Sequence, residues 1–196
     1  MNTVAKVLVL IAAAGTLVAC GQADRQEVAA ESTASIADPA IDYAQFNTTA
    51  TIRDVMNTLV DPGADALWNA VRYEMDASGS REMRPETEAQ WLTLRQHAVA
   101  IIEGGNALMI PGRRVAPAGS TTDFPAYEYL PEEVEAKLQE DRQSWIGFAQ
   151  GLQASAITML NAIDARNADQ LSEFGASLDA ACEACHSQYW YRAESQ

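Results

Sequence analysis

Three side chains near the carboxyl end of the chain have the types and the spacing to act together. Cys182, Cys185 and His186 occupy positions i, i+3 and i+4, and these positions share one face of an α-helix. Apolar residues repeat along the same face, so the cluster is expected to point inward rather than towards water. Two thiols and one imidazole in this arrangement can bind a metal ion, form a disulfide or hold a larger cofactor.

The order of the three residues favours the larger cofactor. C-x-x-C-H is the pattern to which haem c is attached. The two thiols add across the vinyl groups of haem as thioethers, and the histidine then lies under the iron. We therefore predict one covalently attached haem c, bound through Cys182 and Cys185. His186 is the expected proximal iron ligand.

Three other interpretations of the pair of cysteines remain open. A zinc site needs four ligands, usually two such pairs, but Cys20 and His97 stand alone in the sequence. A redox-active C-x-x-C motif usually opens a helix that follows a strand, whereas this helix is expected to begin earlier, after Asn167. The third interpretation is a structural pair of buried cysteines.

The amino-terminal segment has the character of an export signal. Lys6 precedes an apolar run at 7–18, which is too short for a permanent membrane span and fits a secretory signal peptide. The sequence that ends at Cys20 resembles the cleavage site of bacterial lipoproteins. That resemblance implies removal of 1–19 and a lipid on Cys20. Because Gly21 follows instead of Asp, it also implies a periplasmic protein on the outer membrane.

The mature chain is expected to be strongly acidic. Without residues 1–19 the chain has 12 basic and 27 acidic side chains, which gives a formal net charge of −15. This charge excludes binding of nucleic acid through its phosphates. It favours a basic partner, with a marked salt dependence, or else serves only to keep the protein soluble. Residues 20–47 are poor in large apolar side chains and are predicted to form a lipidated tether. Residues 48–196 would form the single domain.

The domain shows apolar residues three and four positions apart, which is typical of amphipathic helices. The segments with this pattern are 49–76, 86–110, 131–165 and 168–192. They predict an all-α fold, an antiparallel four-helix bundle, without β-hairpins. Pro62 is expected to kink or break the first helix, and the long connection 111–130 is expected to cover a site.

Local signals mark several of the predicted helix ends. Thr87 and Gln90 have the spacing of a capping box. Pro131 suits a first helical position, and Asn167 is a plausible N-cap. Arg113 and Arg114 follow the second helix, where they can complement its negative end; pairing with haem propionates is the alternative.

A C-x-x-C-H motif in the last helix of such a bundle resembles the class II c-type cytochromes, the cytochrome c-prime family. The similarity covers about 49–192 and includes Tyr189, three residues after the histidine. The chain departs from the family at Trp190, where Arg or Lys is frequent. The resemblance implies that the first helix covers the distal side of the haem, and a homodimer is possible. On that helix Met56 is the best candidate for a sixth, thioether ligand, although a methionine on a helical stripe also serves as core filler.

The expected function depends on that sixth position. With Met56 as ligand, the protein would be an electron-transfer cytochrome in the cell envelope. With an open distal face it would bind or sense small gases such as NO or CO. His97 lies at the margin of its helical stripe and is a minor alternative ligand. Trp145 and Tyr189 lie on stripes and are expected in the core, where they either pack against the edge of the haem, with Tyr189 as a cofactor-binding residue, or only fill the end of the bundle. Histidine is scarce and no paired carboxylates lie on an inward face, so we do not expect an enzyme. A haem-free envelope lipoprotein remains the third possibility.

Overall fold

The computed structural model describes residues 42–120 and 126–192. The predicted signal peptide, Cys20 and most of the tether therefore lie outside the described residues. The described chain is mostly helical, as predicted, but it also contains a small two-stranded sheet. Within these ranges no helix is both long enough and apolar enough to cross a membrane.

The elements follow one another in a simple order. A short 3₁₀ turn, Tyr43–Gln45, precedes the first helical segment. The helices are α1 (Ile52–Val55), α2 (Asp61–Trp68), α3 (Glu88–Leu108), α4 (Pro131–Glu140), α5 (Arg142–Asp164) and α6 (Ala168–Tyr189), and the strands β1 (Arg72–Asp76) and β2 (Gly79–Met83) lie between α2 and α3.

The first helical segment is continuous across Pro62, contrary to the expected break. Met56–Val60 forms a π-helical turn that joins α1 to α2, and Pro62 lies in the first turn of α2. Proline has no N–H to donate, and the Asp61 N–H bonds to the carbonyl of Met56, five residues back. The chain thus stays helical before Pro62, and only its hydrogen-bonding pattern changes, from α-helical to π-helical. Thr51 and Asp54 begin the segment with a capping box.

The sequence predicts a first helix over 49–76, and this prediction is wrong beyond Trp68, where α2 ends. β1 instead pairs antiparallel with β2, Arg72 opposite Met83 and Asp76 opposite Gly79. The Asp76 carboxylate accepts a hydrogen bond from the Ser78 N–H at 2.7 Å, and Gly79 has φ +124°, a conformation that glycine adopts readily. Both strands are largely exposed, so they carry no apolar alternation that the sequence could have revealed.

The predicted third helix is two helices. Asp141 leaves helical geometry (φ −132°, ψ 72°) and separates α4 from α5. Its side chain accepts from the Ser144 N–H at 3.0 Å and from the Ser144 hydroxyl at 2.6 Å, so it acts as the N-cap of α5. Pro131 begins α4 as predicted.

The predicted starts of the second and fourth helices are confirmed. Thr87 and Gln90 form the capping box of α3, and the Asn167 side chain accepts from the Gln170 N–H at 3.0 Å at the start of α6. α5 packs between α3 and α6, and α2 packs against α3 and α6. Among the described residues, the hydrophobic side chains with no exposed surface are Ala98, Ile101, Val115, Ala156, Met159, Ile163 and Leu178.

Candidate cofactor site

A cavity of about 590 Å³ brings the predicted site residues together. Met56 reaches it from the π-helical turn, and Cys182, Cys185, His186 and Tyr189 reach it from the last two turns of α6. The volume is within the range of roughly 300–1,000 Å³ that small-molecule and cofactor pockets occupy. Two segments far apart in sequence thus contribute sulfur and nitrogen atoms to one space.

The two thiols are half-buried and free. Burial raises the pKa of Cys182 to about 11, helped by the nearby carboxylates of Asp179, Glu183 and Asp61. Burial, with a contribution from Cys182, raises the pKa of Cys185 to about 12. Both thiols are therefore protonated at neutral pH, whereas redox-active cysteines depend on a lowered pKa. This environment does not favour the dithiol redox site considered from the sequence.

The His186 imidazole is half-buried and lies against the Tyr191 ring, with 6.2 Å between the ring centroids and an angle of 75°. Its backbone carbonyl accepts from the N–H groups of Trp190 at 2.7 Å and Tyr191 at 3.0 Å. Among the described residues, no hydrogen bond involves the ring nitrogens. A ring nitrogen of His186 is consequently available to a ligand in the cavity.

Met56 lies on a part of the helix that is shaped by close packing against α3. A Cβ on Gly104 would lie 2.8 Å from the Val60 side chain, and one on Gly63 would lie 2.8 Å from Ile101 Cγ1 and 3.0 Å from a backbone oxygen. The two glycines therefore permit the close approach of the π-helical turn and α2 to α3. π-Helical turns are frequent at functional sites, and this one carries the candidate thioether ligand.

The cavity has an aromatic wall whose rings are held in place. Trp145 and Phe148 of α5 meet Tyr189 edge-on, with centroid distances of 5.4 and 5.8 Å. The Trp145 indole N–H donates to the carbonyl of Leu108 at 2.8 Å, and the Tyr189 hydroxyl donates to the carbonyl of Asp141 at 3.4 Å. Trp145 and Tyr189 are buried, as predicted from their helical stripes.

Acidic side chains from three parts of the chain line the same cavity. They are Asp61 at the start of α2, Asp179 and Glu183 of α6, and Glu128 of the long connection. Val115, also in that connection, lines the cavity and is fully buried. The described part of the connection thus contributes to the site, as expected, while 121–125 lie outside the described residues.

Three other sequence candidates do not line the cavity. His97 is half-buried on α3 and lines a separate groove near the β-hairpin. Arg113 donates through Nε to the carbonyl of Ala107 at 3.0 Å and through a terminal guanidinium nitrogen to the carbonyl of Ala50. Arg114 pairs with Glu135 at 3.3 Å. Arg113 therefore complements the negative carboxyl end of α3, the first of the two roles predicted for it.

Some lining residues escaped the sequence analysis. Trp68 lines the cavity and its indole N–H donates to the carbonyl of Gly175 at 3.1 Å, which ties α2 to α6. Asp179 lies one helical turn before Cys182, a spacing that could have identified it. Within residues 42–120 and 126–192, no three His, Cys, Asp or Glu side chains form a group that could hold a metal ion.

Comparison with known proteins gives no relative. No family model, no curated protein sequence and no solved structure matches the chain. Function is therefore inferred from the side chains of the cavity and from the sequence that places them there.

Proposed function

We propose that the chain is a monohaem c-type cytochrome that transfers single electrons in the cell envelope. Cys182 and Cys185 would attach one haem c, His186 would be the proximal iron ligand and Met56 the distal one. The observation that supports this best is that all four side chains line one cavity, although Met56 lies far from the other three in the sequence.

The residues at the cavity fit such a group. Both cysteines are free and half-buried, so each thiol can form a thioether to a group inside the cavity. The imidazole of His186 borders the same space, and the aromatic wall offers apolar surface to a flat ring system. When bound, haem supplies an iron that gains and loses one electron, and a thioether ligand raises its reduction potential.

The protein's own contribution is the environment of that iron. Trp145, Phe148 and Tyr189 keep water away from one wall of the cavity. Excluding water lowers the local dielectric constant and favours the less charged, reduced state. His186 would supply the neutral nitrogen ligand and Met56 the soft sulfur ligand, the pair that is typical of electron-transfer cytochromes.

The proposal includes the fold family. The four helices of a class II c-type cytochrome bundle would correspond to α1–α2, α3, α4–α5 and α6. Support comes from the order of the helices, from the packing of α5 between α3 and α6 and from the C-x-x-C-H motif in the last helix. The β-hairpin, the break at Asp141 and Trp190 are departures from the pattern of that family.

The proposed location is the periplasm, with a lipid on Cys20 that anchors the protein, most simply to the outer membrane. The signal-like sequence and the position of Cys20 support it. The acidic mature chain would attract a basic redox partner and would not bind nucleic acid. A homodimer would follow from the family resemblance alone, and we propose no enzymatic activity.

A visible absorption spectrum of the purified protein tests the iron ligands. We expect a sulfur-to-iron charge-transfer band that disappears in Met56→Ala. Met75→Ala is the matched control, because Met75 lies on the hairpin with 85% of its surface exposed, and this variant should keep the band. A high-spin spectrum of the unmodified protein would rule out thioether ligation and favour the gas-binding alternative.

A further inference from the structure

The residues that follow His186 are bound to the end of the long connection. The Tyr129 N–H donates to the carbonyl of Trp190 at 2.9 Å, and the Arg192 N–H donates to the carbonyl of Tyr127 at 2.7 Å. Between these bonds, Glu128 and Tyr191 face each other as an antiparallel bridge. The chain thus forms a short two-stranded pairing beside the cavity, just beyond the end of α6.

The Arg192 side chain closes this pairing with three contacts. Its Nε donates to the carbonyl of Glu128 at 2.9 Å, and its terminal nitrogen lies 2.5 Å from the Glu133 carboxylate. The guanidinium also stacks over the Tyr129 ring, 4.9 Å from the centroid. The Leu130 N–H donates to the same carboxylate at 2.7 Å. This hydrogen bond and Arg192 both lower the pKa of Glu133, which stays charged at neutral pH.

Lys137 of α4 adds a second cation on the same aromatic ring. Its Nζ lies 4.5 Å from the centroid of Tyr129 and donates to the carbonyl of Gln188 in the last turn of α6 at 3.4 Å. We call Tyr129, Glu133, Lys137 and Arg192 the clasp. Its members come from the connection, from α4 and from the carboxyl-terminal segment, so it holds the end of α6 against two other elements.

The clasp reaches His186 through Tyr191. Tyr191 is held on one side by its bridge to Glu128 and on the other by its N–H bond to the His186 carbonyl. Its ring lies at the edge of the His186 imidazole. Because the two rings are neighbours, a tyrosine whose backbone is held in place can limit the rotation of the imidazole. Contacts made beyond the cavity can in this way act on the orientation of the imidazole.

We propose that the clasp is a positioning device for the imidazole of His186, with Arg192 and Tyr129 as its main positioning residues. The device would set the plane in which the imidazole meets the iron and hold Tyr191 at the edge of the cavity. This inference rests on the proposed function where it names the iron, but the orientation of the ring is a property of the chain itself. Preorganised ligands depend on such supporting contacts.

The test compares Arg192→Gln with Arg166→Gln in the full-length protein. Arg166 is the matched control: it pairs with Glu88 at 2.6 Å and donates to the Ile163 carbonyl, but at the amino-terminal end of α6. Amide hydrogen exchange at Tyr129 and nuclear Overhauser contacts between the Tyr191 and His186 rings report on the clasp without depending on haem. The midpoint potential and the electron paramagnetic resonance spectrum of the oxidised protein report on the iron.

We expect Arg192→Gln to speed exchange of the Tyr129 amide by about tenfold, the effect of losing a charge-assisted hydrogen bond. It should also weaken the contact between the two rings and shift both iron signals, while Arg166→Gln leaves all four readouts unchanged. Tyr129→Leu should act in the same direction as Arg192→Gln, which guards against an effect peculiar to one variant.

Two results would overturn the proposal. One is faster exchange in Arg192→Gln with an unchanged ring contact and unchanged iron signals, because the clasp would then be only structural. The other is an equal change of the iron signals in Arg166→Gln. A wild-type protein without haem would contradict the proposed function instead, and the ring contact in Arg192→Gln would then decide the clasp proposal by itself.

Discussion

The two ends of the α5–α6 pair differ in how they fill space. At one end, Met159 and Ile163 of α5 and Leu171 of α6 are almost completely buried. At the other end, Trp145 and Phe148 of α5 face the turns of α6 that carry the two thiols, and a cavity of about 590 Å³ lies among them. Both ends contain buried apolar side chains, but carboxylates also line the cavity end.

Under the proposed function the two ends would have different roles, because haem would occupy the cavity end whereas side chains alone fill the other end. The cavity end combines two protonated thiols, a methionine sulfur and an imidazole whose ring nitrogens make no hydrogen bond with the described residues. The closed end contributes stability, and the cavity end leaves its reactive side chains accessible. Substitutions that separate stability from spectroscopic properties can test this division.

The largest effect on stability is expected when a methionine is replaced by alanine, and the same replacement can be made at each of the two ends. Met159→Ala should lower the free energy of unfolding by about 2–5 kcal/mol, because a fully buried methionine leaves an unfilled space, with little change in the visible spectrum. Met56→Ala should cost less stability, since Met56 is only half-buried, and should change the spectrum. Denaturant titrations and absorption spectra measure both. If Met56→Ala were the more destabilising variant and spectrally silent, Met56 would be core filler.

A smaller effect is expected where the first helical segment approaches α3. Gly63→Ala should destabilise the protein by about 1–3 kcal/mol, because the added Cβ would collide with Ile101 and with the backbone of α3. Gly147 is the control: it lies within α5, and an added Cβ would come within 4 Å of no described atom outside its own helix, so Gly147→Ala should stabilise by about 0.5–1 kcal/mol. Thermal unfolding of the two variants measures the contrast, and effects of the same sign would contradict the close approach.

The smallest effect concerns the thiols at alkaline pH. In protein made without haem, burial holds the pKa of Cys182 at about 11 and that of Cys185 at about 12, whereas thiols of the unfolded chain ionise near 8.5. Stability from this source is complete below about pH 8.5 and is lost as the pH rises towards 12; because both thiols are only half-buried, solvent screening keeps the loss well below what the pKa differences alone would give.

Thioether-linked protein should lack this alkaline loss, because thioethers do not ionise. Unfolding in denaturant between pH 8 and pH 11, roughly the range in which free thiols titrate, measures the difference between the two forms. An equal loss in both forms would show that the thiols are not its source.

The helical stripes and caps of this chain were readable from local sequence. Thr87 with Gln90 and Asn167 mark true helix starts, because capping depends on side chains within three residues of each other. Asp141 carried a similar local signal, an acceptor three residues before Ser144. It was missed because the apolar stripe continues across the break between α4 and α5.

Other features depend on contacts distant in sequence and had no local signal. The π-helical turn is held where Gly63 and Gly104 let two helices approach closely. The hairpin from β1 to β2 is exposed and so lacks the alternation that identifies a half-buried strand. The cluster of Cys182, Cys185 and His186 was predicted from spacing, whereas the meeting of these residues with Met56 required the packing of the first helical segment.

The most direct test of the central claim is a denaturing gel of the mature protein stained for haem. Covalently attached haem survives denaturation, so the wild-type band should stain, and a Cys182→Ser, Cys185→Ser double variant should not. Met75→Ala should stain like the wild type. An unstained wild-type band, or stain that is lost on denaturation, would contradict the assignment of this cavity to haem c.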